Sequence, residues 1–83
     1  MSDEIRQEVE RAVERAFDRW AAEHPTLASA VDRITLCRLT ATSLRESEQY
    51  RAAVDAYRRD MRRADLAERL VGIAAGLLGR FMT

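Results

Sequence analysis

Eighty-three residues, 47% hydrophobic and 34% charged, make one domain at most, too apolar for a disordered chain. A monomer of this size hides only roughly 60–65% of the surface that its unfolded form exposes, so a second copy or a partner would add needed stability. Fourteen basic residues, every one arginine, balance fourteen acids, and the overall charge exerts no long-range pull on nucleic acid or anionic lipid.

The lone cysteine, Cys37, excludes an internal disulfide. The opening M-S-D-E-I-R lacks the basic and apolar parts of a signal peptide, and the longest uncharged run, Leu70 to Gly79, is about half of what a bilayer span requires. A cytoplasmic location without a transmembrane segment is expected.

The first element is an amphipathic helix over about 3–22, on the evidence of Ile5, Val9, Ala12, Val13, Ala16, Phe17 and Trp20 at spacings of three and four. Ser2 is placed to cap it, and Asp3 and Glu4 suit the positive end of its dipole. Counted through Glu23 it holds seven acids and four arginines, a net of −3 (4 − 7), and it is the acidic part of the chain. Trp20 closes the stripe and reads as a core anchor. Glu23-His24-Pro25-Thr26 then breaks the chain, because proline disfavours helical geometry in the residue before it and suits the first turn of the next helix. His24 has no neighbour that would complete a metal site and reads as a surface residue at a helix end.

A second helix is predicted over 26–44. Leu27, Ala30, Ile34, Cys37, Ala41 and Leu44 alternate by three and four like the seam of a helical bundle, with Val31, Leu36 and Leu39 as a further apolar row. Cys37 reads as a small buried hydrophobe within that seam. Ser43 with Glu46, or Ser47 alone, can cap a third helix, predicted over 47–64 and carrying Tyr50, Ala53, Val54, Tyr57, Met61 and Ala64 on one side. Its other side bears Arg51, Arg58, Arg59, Arg62 and Arg63, a candidate nucleic-acid surface, but Asp55, Asp60 and Asp65 stand three or four residues away and predict intrahelical pairing. The stretch from Ser47 to Asp65 nets only +1 (5 − 4).

The last helix is predicted over 66–82, either continuous with the third or restarted at Asp65 as N-cap with Glu68 behind it. Its apolar positions, Leu70, Ile73 and Leu77 in one row and Val71, Ala74, Leu78 and Phe81 in another, spread beyond one face. Gly72, Gly76 and Gly79 each cost helix propensity by roughly 0.8–1 kcal/mol relative to alanine, so close approach of another helix is expected there.

No catalytic or cofactor motif accompanies these helices. The chain has no phosphate-binding glycine loop, no H-E-x-x-H, C-x-x-C or G-x-S-x-G, and no second His or Cys for a metal or a nucleophile–base pair. Neither an enzyme nor a cofactor is expected. The expected fold is all-α, a three- or four-helix antiparallel bundle completed by homodimerisation, with Leu70, Val71, Gly72, Ile73, Gly76, Leu77, Leu78 and Phe81 as its interface. The expected role is a small structural or interaction protein that self-associates and presents a helical surface to a protein partner. Two alternatives are a nucleic-acid accessory factor using Arg51, Arg58, Arg59, Arg62 and Arg63, and a C-terminal amphipathic helix that docks on a shell, a membrane surface or a larger complex.

Overall fold

The computed structural model of the chain describes residues 3–82 and resolves them into five helices: α1 (Asp3–Glu23), α2 (Pro25–Ala30), α3 (Arg33–Glu46), α4 (Glu48–Arg59) and α5 (Arg63–Phe81). No strand occurs among these residues. The cap expected at Ser2 lies outside them.

The core forms around α1, whose Ile5, Val9, Ala12, Val13, Ala16, Phe17 and Trp20 are all buried. Opposite them lie Leu66, Leu70, Val71, Ala74 and Leu78 of α5, and the α1–α5 contact is the most extensive in the molecule. These two helices start at the same end. Arg63, the first residue of α5, donates to the carboxylate of Glu8 and lies 3.7 Å from that of Glu4, so α5 runs alongside α1 in the same direction. Helix α3 runs the other way: Arg33 at its start meets Glu14 and Asp18 in the second half of α1, and the chain has returned to the first turn of α1 by Tyr57, whose hydroxyl bonds to Glu4.

The helix predicted over 26–44 is divided in two. Asp32 has extended backbone, and its carboxylate accepts from the backbone N–H and the hydroxyl of Thr35, so α3 is capped and restarted there. The break resets which residues face inward. Leu36, Thr40 and Leu44 are buried, whereas Ile34, expected in the seam, is 64% exposed and Cys37 is half-buried. Thr40 tolerates its position because its hydroxyl donates to the Leu36 carbonyl one turn back, at 2.8 Å.

Ser47 ends α3 and caps α4, accepting from the Tyr50 N–H at 3.1 Å. Helices 47–64 and 66–82 are not continuous: α4 stops at Arg59, and α5 begins at Arg63 with Arg62 as its N-cap, ahead of the expected Asp65. Arg63 explains the earlier start, since its bonds to Glu4 and Glu8 fix the chain against α1 at that residue. Asp65 lies instead in the first turn of α5, where a carboxylate suits the positive end of the dipole.

Candidate docking groove

Helix α3 is apolar over a wide arc. At about 100° per residue, Leu36, Thr40, Leu44, Cys37, Ala41 and Ile34 span about 160° of its circumference. The chain buries half of that arc fully and covers the rest only in part, with Cys37 and Ala41 touching the core and Ile34 exposed. Leu36, Thr40 and Leu44 point into the core, while Ile34, Cys37 and Ala41 line a surface groove of about 830 Å³ between α3 and α1, to which Tyr50 and Arg58 of α4 also contribute. Ile5 and Val13 of α1 lie at the base of the groove, buried to 7% and 2% exposure. Between Arg33 and Arg45, both on its wall, α3 rises by about 18 Å, or three turns.

The two walls differ in charge. Arg6, Glu10 and Glu14 belong to the α1 side, and Arg33, Arg38 and Arg45 to the α3 side. Both glutamates have arginine partners within the chain. Glu10 lies 3.8 Å from Arg6, and Glu14 accepts from Arg33 at 2.7 Å. Arg33 also donates to Asp18 at 2.9 Å and stacks over the Phe17 ring, with Cζ 4.7 Å from its centroid. The Glu14 and Asp18 carboxylates hold its guanidinium above the usual arginine range. Arg38 feels the charge of Asp32. No carboxylate among the described residues lies within ion-pair distance of Arg38, Arg45 or Arg58. The groove therefore carries two cations without an ion-pair partner on its α3 wall and a third, Arg58, on α4, while the glutamates of the α1 wall have arginine partners.

Cys37 lies on the groove wall and is not enclosed within a packed seam, in contrast to the sequence expectation. Burial pushes its thiol above the ordinary range, which disfavours the reactive thiolate. His24 is exposed, its ring 5.7 Å from that of Trp20. Among the described residues no group of three His, Cys, Asp or Glu could hold a metal ion, and no helix is long and apolar enough to cross a membrane.

The residues expected at a C-terminal interface separate into three sets. Leu70, Val71 and Leu78 belong to the chain's own core and are not free to meet a partner. Ile73 and Leu77 are half-buried, Gly72 and Gly76 point outward, and Phe81 is 43% exposed. The core residues are hidden because α1 itself covers the broad apolar face of α5.

The arginines expected to contact nucleic acid do not form one row either. Arg63 is held by Glu4 and Glu8, which raise its pKa further, Glu8 foremost. Arg59 donates to the Asp55 carbonyl oxygen at 3.4 Å, Arg58 lines the groove, and Arg51 and Arg62 are exposed on different helices or their caps. The pairs predicted for Asp55, Asp60 and Asp65 are absent from the ion pairs of the described residues: the break after Arg59 ends the helical spacing of Asp60 and Arg63, whereas Asp55 with Arg58 and Arg59 in α4, and Asp65 with Arg69 in α5, keep theirs and still form no ion pair. Missed from the sequence were Arg38 and Arg45 on the groove wall. Their signal was present, at positions one residue after Cys37 and one after Leu44, beside the apolar seam.

No family model matches the chain, and neither a curated protein nor a solved structure matches it.

Proposed function

We propose that this chain is a small non-enzymatic interaction protein, a helical bundle that seats an amphipathic helix of a protein partner in the groove between α1 and α3. One observation carries the reading: Ile34, Cys37 and Ala41, which have the three- and four-residue spacing of a helix–helix seam, line an open groove, Ile34 at 64% exposure and Cys37 and Ala41 covered only in part by the chain's own core. A small ligand fits the groove less well. Such ligands have most of their surface buried, whereas this groove is open enough to leave Ile34 at 64% exposure. The test is heteronuclear NMR of the full chain with a leucine-faced helical peptide added. Shifts concentrated at Ile34, Cys37 and Ala41, and lost in Ile34→Glu, support the reading. Shifts that are absent or scattered remove it.

Self-association belongs to the proposal as a separate part with narrower support. A two-fold dimer built groove to groove would bring together two surfaces that each bear the unpartnered Arg38, Arg45 and Arg58, which like-charge repulsion disfavours. The surfaces left to a second copy from the expected interface are Gly72, Ile73, Gly76, Leu77 and Phe81. Light scattering over a wide concentration range decides it, because a mass fixed at 9.5 kDa would eliminate the dimer.

A further inference from the structure

We infer that the groove selects a partner helix bearing acidic side chains along one flank, with Arg38, Arg45 and Arg58 as the residues that read them. The inference rests on the docking function proposed above and adds the chemistry of the occupant. Its basis is the imbalance between the walls: Glu10 and Glu14 have arginine partners in the chain, while the three arginines have no ion-pair partner among the described residues. A helix laid along the three turns of α3 has an apolar face at i, i+3, i+4 and i+7 for Ile34, Cys37 and Ala41. Its flank on the α3 and α4 side then passes the arginines. Carboxylates there would gain charge-assisted hydrogen bonds, and basic residues would meet repulsion.

The same arginines could attract a nucleic-acid strand, but the rest of the groove does not suit one. Its floor is aliphatic, with Tyr50 as the aromatic side chain on its lining, whereas single strands bind through successive aromatic platforms. Glu10 and Glu14 on the facing wall would also oppose a phosphate backbone. A second copy of this chain is disfavoured by the like charge of its own rim.

The test uses the full chain, two labelled 18-residue helical peptides with the same leucine face, one flanked by glutamate and one by lysine, and a 12-nucleotide single-stranded DNA. Fluorescence anisotropy gives the affinities, and the rate at which Cys37 reacts with a thiol reagent reports occupancy of the groove. Binding of the glutamate peptide about tenfold or more tighter than the lysine peptide is expected, from three rim pairs each worth a few tenths of a kcal/mol and reversed in sign between the peptides. The glutamate peptide should slow thiol labelling, and the triple variant Arg38→Glu, Arg45→Glu, Arg58→Glu should invert the preference. Ile34→Glu, at an exposed position that leaves the core intact, should weaken binding by about tenfold. Equal binding of both peptides that is still lost in Ile34→Glu would overturn the acidic selectivity and leave helix docking standing. Binding that neither protects Cys37 nor responds to Ile34→Glu would overturn both. DNA that binds more tightly than the glutamate peptide, and is lost in the triple variant, would assign the arginines to nucleic acid instead.

Discussion

Replacing Gly72 and Gly76 by alanine should stabilise the protein. Both lie inside α5 on its solvent face, with Gly79 one turn further on, opposite the side that carries Leu70, Ala74 and Leu78. A Cβ built at any of the three meets nothing within 4 Å, and none of these glycines has positive φ. The gain is then the helix-propensity difference, roughly 0.8–1 kcal/mol for each of the two interior positions, or about 1.5–2 kcal/mol together. For a domain of this length, that raises the melting temperature by about 6–15 °C. Thermal and urea unfolding followed by circular dichroism measure it, and the urea midpoint should rise at unchanged slope. Gly79→Ala, two residues from the end of α5, should add less. A lower melting temperature, or a fall in solution mass on substitution, would refute this reasoning. Either result would mean that a helix from another molecule packs closely on this face, as the glycine spacing suggests when the sequence is taken alone.

Leu44 is fully buried among residues of the core, and Leu44→Ala should cost about 3–5 kcal/mol in chemical unfolding; a loss below 1 kcal/mol would show that α3 packs by another face. Thr40 is equally buried, yet its hydroxyl bonds within its own helix, so Thr40→Val should change stability by less than about 1 kcal/mol in the same assay. Ser47→Ala removes a side chain that accepts from the Tyr50 N–H and donates to the Leu44 carbonyl, and should cost about 1 kcal/mol. The Asp32 carboxyl is held below its ordinary value of 3.8, chiefly by the Thr35 hydroxyl and then by the backbone N–H groups of Thr35 and Ile34. Its folded pKa is therefore the lower one, so its contribution is complete above 3.8 and is lost as pH falls through the folded value. Urea midpoints measured from pH 5 to pH 2 should fall less steeply in Asp32→Asn, which keeps a capping oxygen but cannot titrate; an identical slope would remove Asp32 from the acid response.

The all-helical class was legible because local signals agree along the chain: proline after His24, capping serine at 47, and apolar spacings of three and four throughout. In α1 one stripe from Ile5 to Trp20 settles both the helix and its buried face, since every other position is polar or small. In the second predicted helix two apolar rows compete, and spacing alone cannot say which turns inward. Asp32, three residues before Thr35, was the available sign of a break, but apolar residues on both sides of it continued the helical period and masked it. The turn at Asp60–Arg62 was harder to place, because no glycine or proline occurs there. It is fixed by Arg63 reaching Glu4 and Glu8, residues 59 and 55 positions away, which no local pattern reports.

The break at Asp32 is also what creates the groove. An apolar arc of about 160° is wider than one helix–helix contact can cover, so some of α3 must stay open in a bundle of this size. Which part stays open depends on how the helix is rotated at its start. Arg33 sets that rotation. It follows the cap directly, and it ties the first turn of α3 to Glu14, Asp18 and the Phe17 ring, all on α1. With that turn anchored, Leu36, Thr40 and Leu44 enter the core and the Ile34–Cys37–Ala41 row is left above Ile5 and Val13. The anchoring also sets the Arg33 cation against Glu14 and Asp18, so the groove's charges without an ion-pair partner are the cations of Arg38, Arg45 and Arg58. The shape of the groove and the sign of its rim thus share one cause, the capped and clamped start of α3.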